Sequence, residues 1–249
     1  MKKVIIIQAR MTSTRLPGKI LMEVGGEPML KQQIRRLRQC RLVDEIVIAT
    51  TANATDDPVV ELAKSENIAF FRGDEDDVLG RYVGAAEQAK ADVVIRSTAD
   101  CPLIDPEITD AVINELINHA DECDYASNVV ERTFPQGFDV EAFFRDTLHR
   151  INRLGQSALA REHVTVALVS EKPQLFLQRT IKDTEDNSDL RLTVDTKADL
   201  ELIRRLFAEL DLNSRVASHR EIIAYLRSNP ELIHINKGTK TWSPIQNQI

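Results

Sequence analysis

Four short apolar runs, each followed within a few residues by a stretch of helical period, constrain this chain more than any other feature. Val4-Ile5-Ile6-Ile7 and Val93-Val94-Ile95 are unbroken rather than alternating, the mark of strands buried on both faces. Strands are also expected at 45–49 and 68–71. Leu30, Ile34, Leu37 and Cys40 share one helical face behind Pro28, which suits a first helical position. The opposite face carries Lys31, Arg35, Arg36 and Arg38, read as a solvated surface. Asp57-Pro58 and Asp105-Pro106 each read as an N-cap followed by a first-turn proline. Strand and helix alternating in this way predict an α/β chain with a doubly wound parallel sheet. Ligands in such sheets sit beyond the carboxyl ends of the strands.

With 249 residues and no convincing linker or repeat, residues 1–249 read as a single domain. The pattern loosens after Asp124. Strands are expected at 125–130, 138–143 and 175–181, with helical pieces at 147–154 and 161–170. This makes the sheet mixed but mostly parallel, with a small β-rich insertion or interface arm over about 125–181. Leu192-Thr193-Val194 reads as a last strand before Asp195. Thr196 and Asp199 form a capping-box start to a helix carrying Leu202, Ile203 and Leu206. The tail from 237 to 249, with Trp242, is polar and expected to be loosely held.

The formal net charge of −7 argues against a general nucleic-acid binder. Cys40, Cys101 and Cys123 form no CxxC pattern, and Cys101 reads as a small core residue. No apolar run approaches a membrane span and no signal peptide precedes the first strand, so the expectation is a cytoplasmic protein without a membrane partner.

The chemistry concentrates at strand ends. Gln8-Ala9-Arg10-Met11-Thr12-Ser13-Thr14-Arg15-Leu16-Pro17-Gly18-Lys19 follows the first strand directly. Its three cations, hydroxyls and glycine suit a wrap around a polyanion, although an arbitrary basic loop is usually a solvated connector. Asp100 follows the fourth strand, after Thr98, and Asp195 ends the last. Each alone could be a turn or helix cap. Opposite Arg15 and Lys19 they make a Mg²⁺ site bridging phosphates, since this ion takes one or two carboxylates plus substrate phosphates. Cations and a divalent metal are what nucleotidyl transfer requires, and no side-chain nucleophile is needed. Arg72-Gly73-Asp74-Glu75-Asp76-Asp77 offers either helix-capping charges or a loop closing over a ligand, through Arg72, Gly73 and Asp76. Arg161 and His163 could grip an anionic acceptor or be structural. Gln136 precedes a glycine turn, and Asp139 and Glu141 point to one side of a strand, facing either sugar hydroxyls or water.

These residues resemble the sugar-acid cytidylyltransferases, the superfamily that includes the CMP-Kdo and CMP-sialic acid synthetases. The likeness is carried by Gln8–Lys19, by Arg72–Leu79, by Thr98-Ala99-Asp100-Cys101-Pro102-Leu103-Ile104-Asp105, by Arg161–Thr165 and by Val194-Asp195-Thr196. The spore-coat polysaccharide (SpsF-like) branch is the nearest in pattern. The resemblance implies a Rossmann-like nucleotidyltransferase fold, a homodimer, and coupling of CTP to a sugar acid with release of pyrophosphate for surface-polysaccharide assembly. It implies that Arg15 and Lys19 hold the triphosphate and act with Asp100 in catalysis. Gln8, Ala9, Arg10, Ser13, Arg72, Gly73, Asp76 and Thr98 would lie by the nucleotide, and Gln136, Asp139, Glu141, Arg161 and His163 by the acceptor. Asp100 and Asp195 would bind Mg²⁺. Where the CMP-Kdo enzymes have Gln-Gly before the metal-binding aspartate, this chain has Thr98-Ala99. The alternatives are a sugar-phosphate nucleotidyltransferase using another NTP and a catalytically silent nucleotide-binding protein.

Overall fold

A computed structural model describes residues 1–239; the 240–249 part of the tail, with Trp242, lies outside the described residues. The chain runs through β1 (Lys3–Gln8), a small hairpin of β2 (Glu23–Val24) and β3 (Glu27–Pro28), then α1 (Met29–Leu37), β4 (Glu45–Thr51), α2 (Asp57–Ser65), β5 (Ala69–Gly73), α3 (Val78–Ala89), β6 (Val93–Thr98) and α4 (Pro106–Asn118). It continues with β7 (Tyr125–Ser127), β8 (Glu141–Phe144), α5 (Arg145–Leu154), α6 (Ala158–His163), β9 (Gln178–Thr180), α7 (Lys197–Glu209), α8 (His219–Ser228) and α9 (Pro230–Ile233).

Seven strands form one sheet in the order β5-β4-β1-β6-β8-β7-β9. β5, β4, β1 and β6 are parallel, and β8 runs against both of its neighbours. The unbroken apolar run of β1 has the expected cause. Ile5 and Ile7 enter a core with α1, α4, α7 and α8, while Val4 and Ile6 enter a second with α3, α5 and α6, all four without exposure. Each such side chain contributes about 1.5–3 kcal/mol by leaving water.

After β1 the chain builds outward through β4 and β5, then crosses to β6 on the other side of β1. The order therefore reverses between β1 and β6, whose ends lie level at Gln8 and Thr98. Loops leaving a reversal diverge and open a crevice at the carboxyl edge. The strands between 125 and 181 extend this same sheet through β8, whose register places Glu141 opposite Arg96.

Several local expectations change. Residues 192–194 form no strand; only a single bridge joins Gln136 to Arg191. The helix expected over 161–170 breaks at Val164, which adopts φ 48. Arg36 is not solvated. Only 3% of this α1 side chain is exposed, and it donates to the carbonyls of Ile104 at 2.7 Å and Ala217 at 2.8 Å. Burial pulls its guanidinium down to about 10 despite nearby Asp105.

Candidate active site

The loop after β1 turns back on itself and is pinned at three places. Gly18 has φ 71, a left-handed conformation that costs a side-chain-bearing residue, and its N–H donates to Met11 O at 2.8 Å. The Met11 N–H donates to Asp56 Oδ1 at 2.7 Å, and buried Asp56 is itself held by the hydroxyls of Thr50 and Thr51. Leu16 and Ile20 fasten the far end by entering the core.

This course delivers the Lys19 ammonium to three oxygens: Val194 O at 2.6 Å, Asp195 Oδ1 at 2.8 Å and Asp100 Oδ2 at 3.3 Å. The two acids come from distant parts of the sequence, but their backbones are tied. Val194 N donates to Asp100 O at 2.8 Å and Thr193 Oγ1 to the same carbonyl at 3.2 Å. Asp100 Oδ1 accepts from Thr98 Oγ1 at 2.5 Å. Asp195 Oδ1 also lies 2.9 Å from Arg15, and its Oδ2 accepts from Arg191 at 2.7 Å.

Arg191 extends the network inward, donating to Asp199 Oδ1 at 2.9 Å and Gln136 Oε1 at 2.8 Å. Asp199 is wholly buried and closes the capping box with Thr196 at the start of α7. Asn236 braces the assembly by donating to Asp199 Oδ1 at 2.9 Å and Arg191 O at 3.0 Å.

The charges are set by these contacts. Burial disfavours the Lys19 ammonium, but the Asp100 and Asp195 carboxylates outweigh it and raise its pKa, so it stays charged. Burial likewise opposes the Asp100 carboxylate, and Lys19 and the Thr98 hydroxyl overcome it to hold its pKa below the ordinary value. Two carboxyl groups touched by one ammonium supply hard oxygen donors that fit Mg²⁺.

Lys19, Asp100, Asp195, Arg191 and Arg15 line a cleft of about 800 Å³, large enough for a nucleotide and an acceptor. Across from the acids, Arg132 grips Asp139 through two hydrogen bonds of 2.6 and 3.0 Å. Glu141 is buried between Arg96 and the Tyr125 hydroxyl, the latter at 2.9 Å, and Arg96 reaches Gln8 Oε1 at 3.3 Å. Arg10 is held loosely, 3.5 Å from Glu75 and 3.9 Å from Glu162. Burial lowers the His163 pKa; Arg96 and Arg10 act in the same direction and Glu162 against it.

Thus Gln8, Ala9, Arg10, Ser13, Arg15, Lys19, Thr98, Asp100, Gln136, Asp139, Glu141, His163 and Asp195 line one cleft. Arg72, Gly73, Asp76 and Arg161 are not among its lining residues. The Arg72 guanidinium is committed to Asp57 and to the carbonyls of Thr51 and Asn53, each within 2.8 Å. The Gly73 carbonyl accepts from Ala52 N at 2.8 Å, and Asp76 N donates to Asp74 Oδ1 at 2.8 Å. Arg161 pairs with Asp77, the cap of α3, and donates to Asn152 at 2.7 Å. Arg72, Gly73 and Arg161 serve contacts of β5, α3 and α6, and Asp76 is exposed in the loop between β5 and α3. Asp139 and Glu141 do face the cleft, each already paired with an arginine.

Arg132, Arg191 and Thr193 are cleft residues that sequence reading missed. Only the position of Arg191, four residues before Asp195, was a signal. Among the described residues, Asp105, Glu107 and His219 form the one group of three side chains close enough to hold a metal. The Asp105 oxygens there accept from the backbone of Glu107 at 2.8 Å, Ile108 at 3.1 Å and His219 at 2.6 Å. With its oxygens so engaged at the starts of α4 and α8, this aspartate acts as a clamp between two helices.

A family model described as cytidylyltransferase matches residues 4–228. The spore coat polysaccharide biosynthesis protein SpsF of Bacillus subtilis is 34% identical over 235 residues, covering 91% of this chain and 94% of the relative. A solved cytidylyltransferase from Leptospira borgpetersenii superposes with a TM-score of 0.89 at 32% identity, covering 98% of this chain and 100% of that one. The structure of a CMP:2-keto-3-deoxy-manno-octonic acid synthetase complexed with CTP matches 84% of this chain and 100% of its own, with a TM-score of 0.65. At 21% identity, that last likeness speaks for the fold alone.

Proposed function

The chain belongs to the cytidylyltransferase family, and from that premise we propose that it couples CTP to a hydroxyl of a sugar acid, a 2-keto sugar or a related acceptor. The products are a CMP-sugar for surface-polysaccharide assembly and pyrophosphate. One observation carries the reading: the Lys19 ammonium touches Asp100 and Asp195 together, inside a cleft also lined by Arg10 and Arg15.

In-line attack on the α-phosphate builds charge on that phosphate and on the departing pyrophosphate, so catalysis is mainly positioning and neutralisation. Arg15 is half exposed and Arg10 loosely held, so both guanidinium groups can turn onto phosphates. Ser13 and Gln8 line the same wall. Asp100 and Asp195 would hold Mg²⁺, which when bound neutralises phosphate oxygens and polarises the α-phosphate. Arg191 fixes the Asp195 carboxylate from behind, and Thr98 does the same for Asp100. Gln136, Asp139, Glu141 and His163 line the acceptor side, where the two acids keep Arg132 and Arg96 in place and offer lone pairs to hydroxyls. The acceptor provides the nucleophile.

The same reading takes the protein to be a cytoplasmic homodimer joined through part of 125–181. Leu175 and Leu177, exposed 46% and 56% beside the edge strand β9, support that contact. No helix among the described residues is long and apolar enough to cross a membrane.

The test is pyrophosphate release with each NTP in turn, against a panel of sugar acids and neutral sugars, with and without Mg²⁺. Release confined to CTP, a sugar acid and added Mg²⁺ is expected. Equal release with another NTP would favour the alternative sugar-phosphate chemistry. Tight nucleotide binding without release from any acceptor would leave only a nucleotide-binding protein.

A further inference from the structure

Asp100 and Asp195 each offer Lys19 one oxygen and have the other occupied. Asp100 Oδ1 takes the Thr98 hydroxyl at 2.5 Å, and Asp195 Oδ2 takes Arg191 at 2.7 Å. Lys19 Nζ holds the remaining pair, Asp100 Oδ2 at 3.3 Å and Asp195 Oδ1 at 2.8 Å, with the Val194 carbonyl at 2.6 Å completing a cup of three oxygens. A magnesium ion held by both carboxylates would draw on the oxygens that Lys19 occupies, since the other two are engaged by Thr98 and Arg191. A dication bound there would meet the ammonium within a few ångströms, where like charges repel strongly.

We propose that Lys19 is the resident counter-ion of this site. It competes with the divalent metal for Asp100 Oδ2 and Asp195 Oδ1, and the metal bridges both carboxylates only when Lys19 turns onto the nucleotide's phosphates. The inference rests on the nucleotidyl-transfer reading and adds an order to it: nucleotide draws the lysine away, and metal binding follows or accompanies it. The side chain is suited to this. Lys19 carries its charge on a flexible four-carbon stem, while its neighbour Ile20 is anchored in the core and Gly18 fixes the turn. The ammonium can therefore change partners without moving the backbone. Arg15, which also touches Asp195 Oδ1 at 2.9 Å, is half exposed and can leave for solvent or phosphate.

Mn²⁺ serves as the probe, with free ion counted by electron paramagnetic resonance without nucleotide, and with CTP after subtracting the Mn²⁺ that CTP chelates in matched protein-free samples. The wild-type protein should bind Mn²⁺ weakly alone and tightly with CTP. Lys19→Gln and Lys19→Met should bind Mn²⁺ at least about tenfold more tightly than wild type without nucleotide, because a neighbouring positive charge is gone. Lys19→Arg, which keeps the charge, should remain as weak as wild type. Unchanged Mn²⁺ affinity in both neutral variants, beside normal CTP-dependent Mn²⁺ binding in wild type, would overturn the competition and leave the transferase reading standing. Absence of Mn²⁺ binding even with CTP would overturn both. Should the neutral variants fail to fold, a crystal structure of the wild-type protein with Mn²⁺ and CTP decides. Lys19 Nζ on a phosphate and beyond hydrogen-bonding reach of the acids supports the proposal. Mn²⁺ on both carboxylates with Nζ still between them overturns it.

Discussion

The Arg191 guanidinium donates to Asp195 Oδ2 at 2.7 Å and to Asp199 Oδ1 at 2.9 Å, so one side chain joins a cleft carboxylate to the capping acid of α7. Asp199 is fully buried, and burial alone would raise its pKa; Arg191 and Asn236 hold it below the ordinary value. Arg191→Ala strands that charge and should cost about 3–5 kcal/mol of stability, read as a lower urea midpoint. Loosening Asp195 should also lower the rate about 10–100-fold, the usual effect of removing a partner behind a metal ligand. Arg191→Lys should recover part of the stability but little of the rate, since an ammonium cannot fork across two carboxylates. Full recovery of both by lysine would remove the positioning role.

Asp100→Ala is expected to abolish turnover and leave the thermal melt nearly unchanged. Its partner Lys19 keeps Asp195 at 2.8 Å and Val194 O at 2.6 Å, so no buried charge is left alone. The rate should fall by about 10³-fold or more, as for loss of a charge-stabilising group in the transition state. A drop in melting temperature of about 10 °C or more would instead mark this aspartate as structural.

Acid stability should depend on Asp105. Burial pushes its carboxyl up, but His219 and the N–H groups of Ile108 and His219 prevail and hold it below the ordinary value. A group with a lowered folded-state pKa stabilises fully above its unfolded value of about 3.9 and loses that contribution as pH falls through the folded one. Urea midpoints of the wild-type protein should therefore fall as pH drops below about 4, and Asp105→Asn should flatten that fall. At neutral pH the variant should be about 1–3 kcal/mol less stable. Parallel pH curves for the two proteins would show that the clamp does not depend on ionised Asp105.

Gly137 adopts φ 111 beside the segment that carries Arg191 and Thr193. A Cβ there would come within 2.6 Å of the Leu192 carbonyl carbon and 2.7 Å of Thr193 N, both main-chain atoms that cannot swing aside. Gly137→Ala should cost about 2 kcal/mol or more through strain and displaced backbone. It should reduce activity as well, because Thr193 and Val194 tie Asp195 to Asp100. A variant as stable and active as wild type would show that this segment moves freely.

Features closed within a few residues were legible in the sequence. Asp105 caps α4, and Thr196 with Asp199 makes the capping box of α7, because each contact spans four residues or fewer. β1 showed itself through a run buried on both faces. Arg36 was misread because helical periodicity records which way a side chain leaves its helix and not what comes to meet it. The carbonyls that receive it belong to Ile104 and Ala217. The expected strand at 192–194 failed for a related reason. Its N–H groups bond to Gln136 and Asp100, which lie on separate loops rather than on one continuous strand.

The cations after β1 and the acids at Asp100 and Asp195 were visible in residue type and position. That Lys19 should meet Asp100 and Asp195 was expected from their strand-end positions, but the remaining partners of these charges were not visible. Arg191 and Arg132 become cleft residues through partners that no local pattern marks, and Arg72 and Arg161 turn away to acids nearer to them. Local patterns along the chain set the layered α/β architecture and the stock of charges at the strand ends, since burial pattern and capping are short-range properties. Which charges face one another was decided by the crossing from β5 to β6 and the return of 187–195 over Asp100, because electrostatic pairing depends on distance in space and not on separation along the backbone.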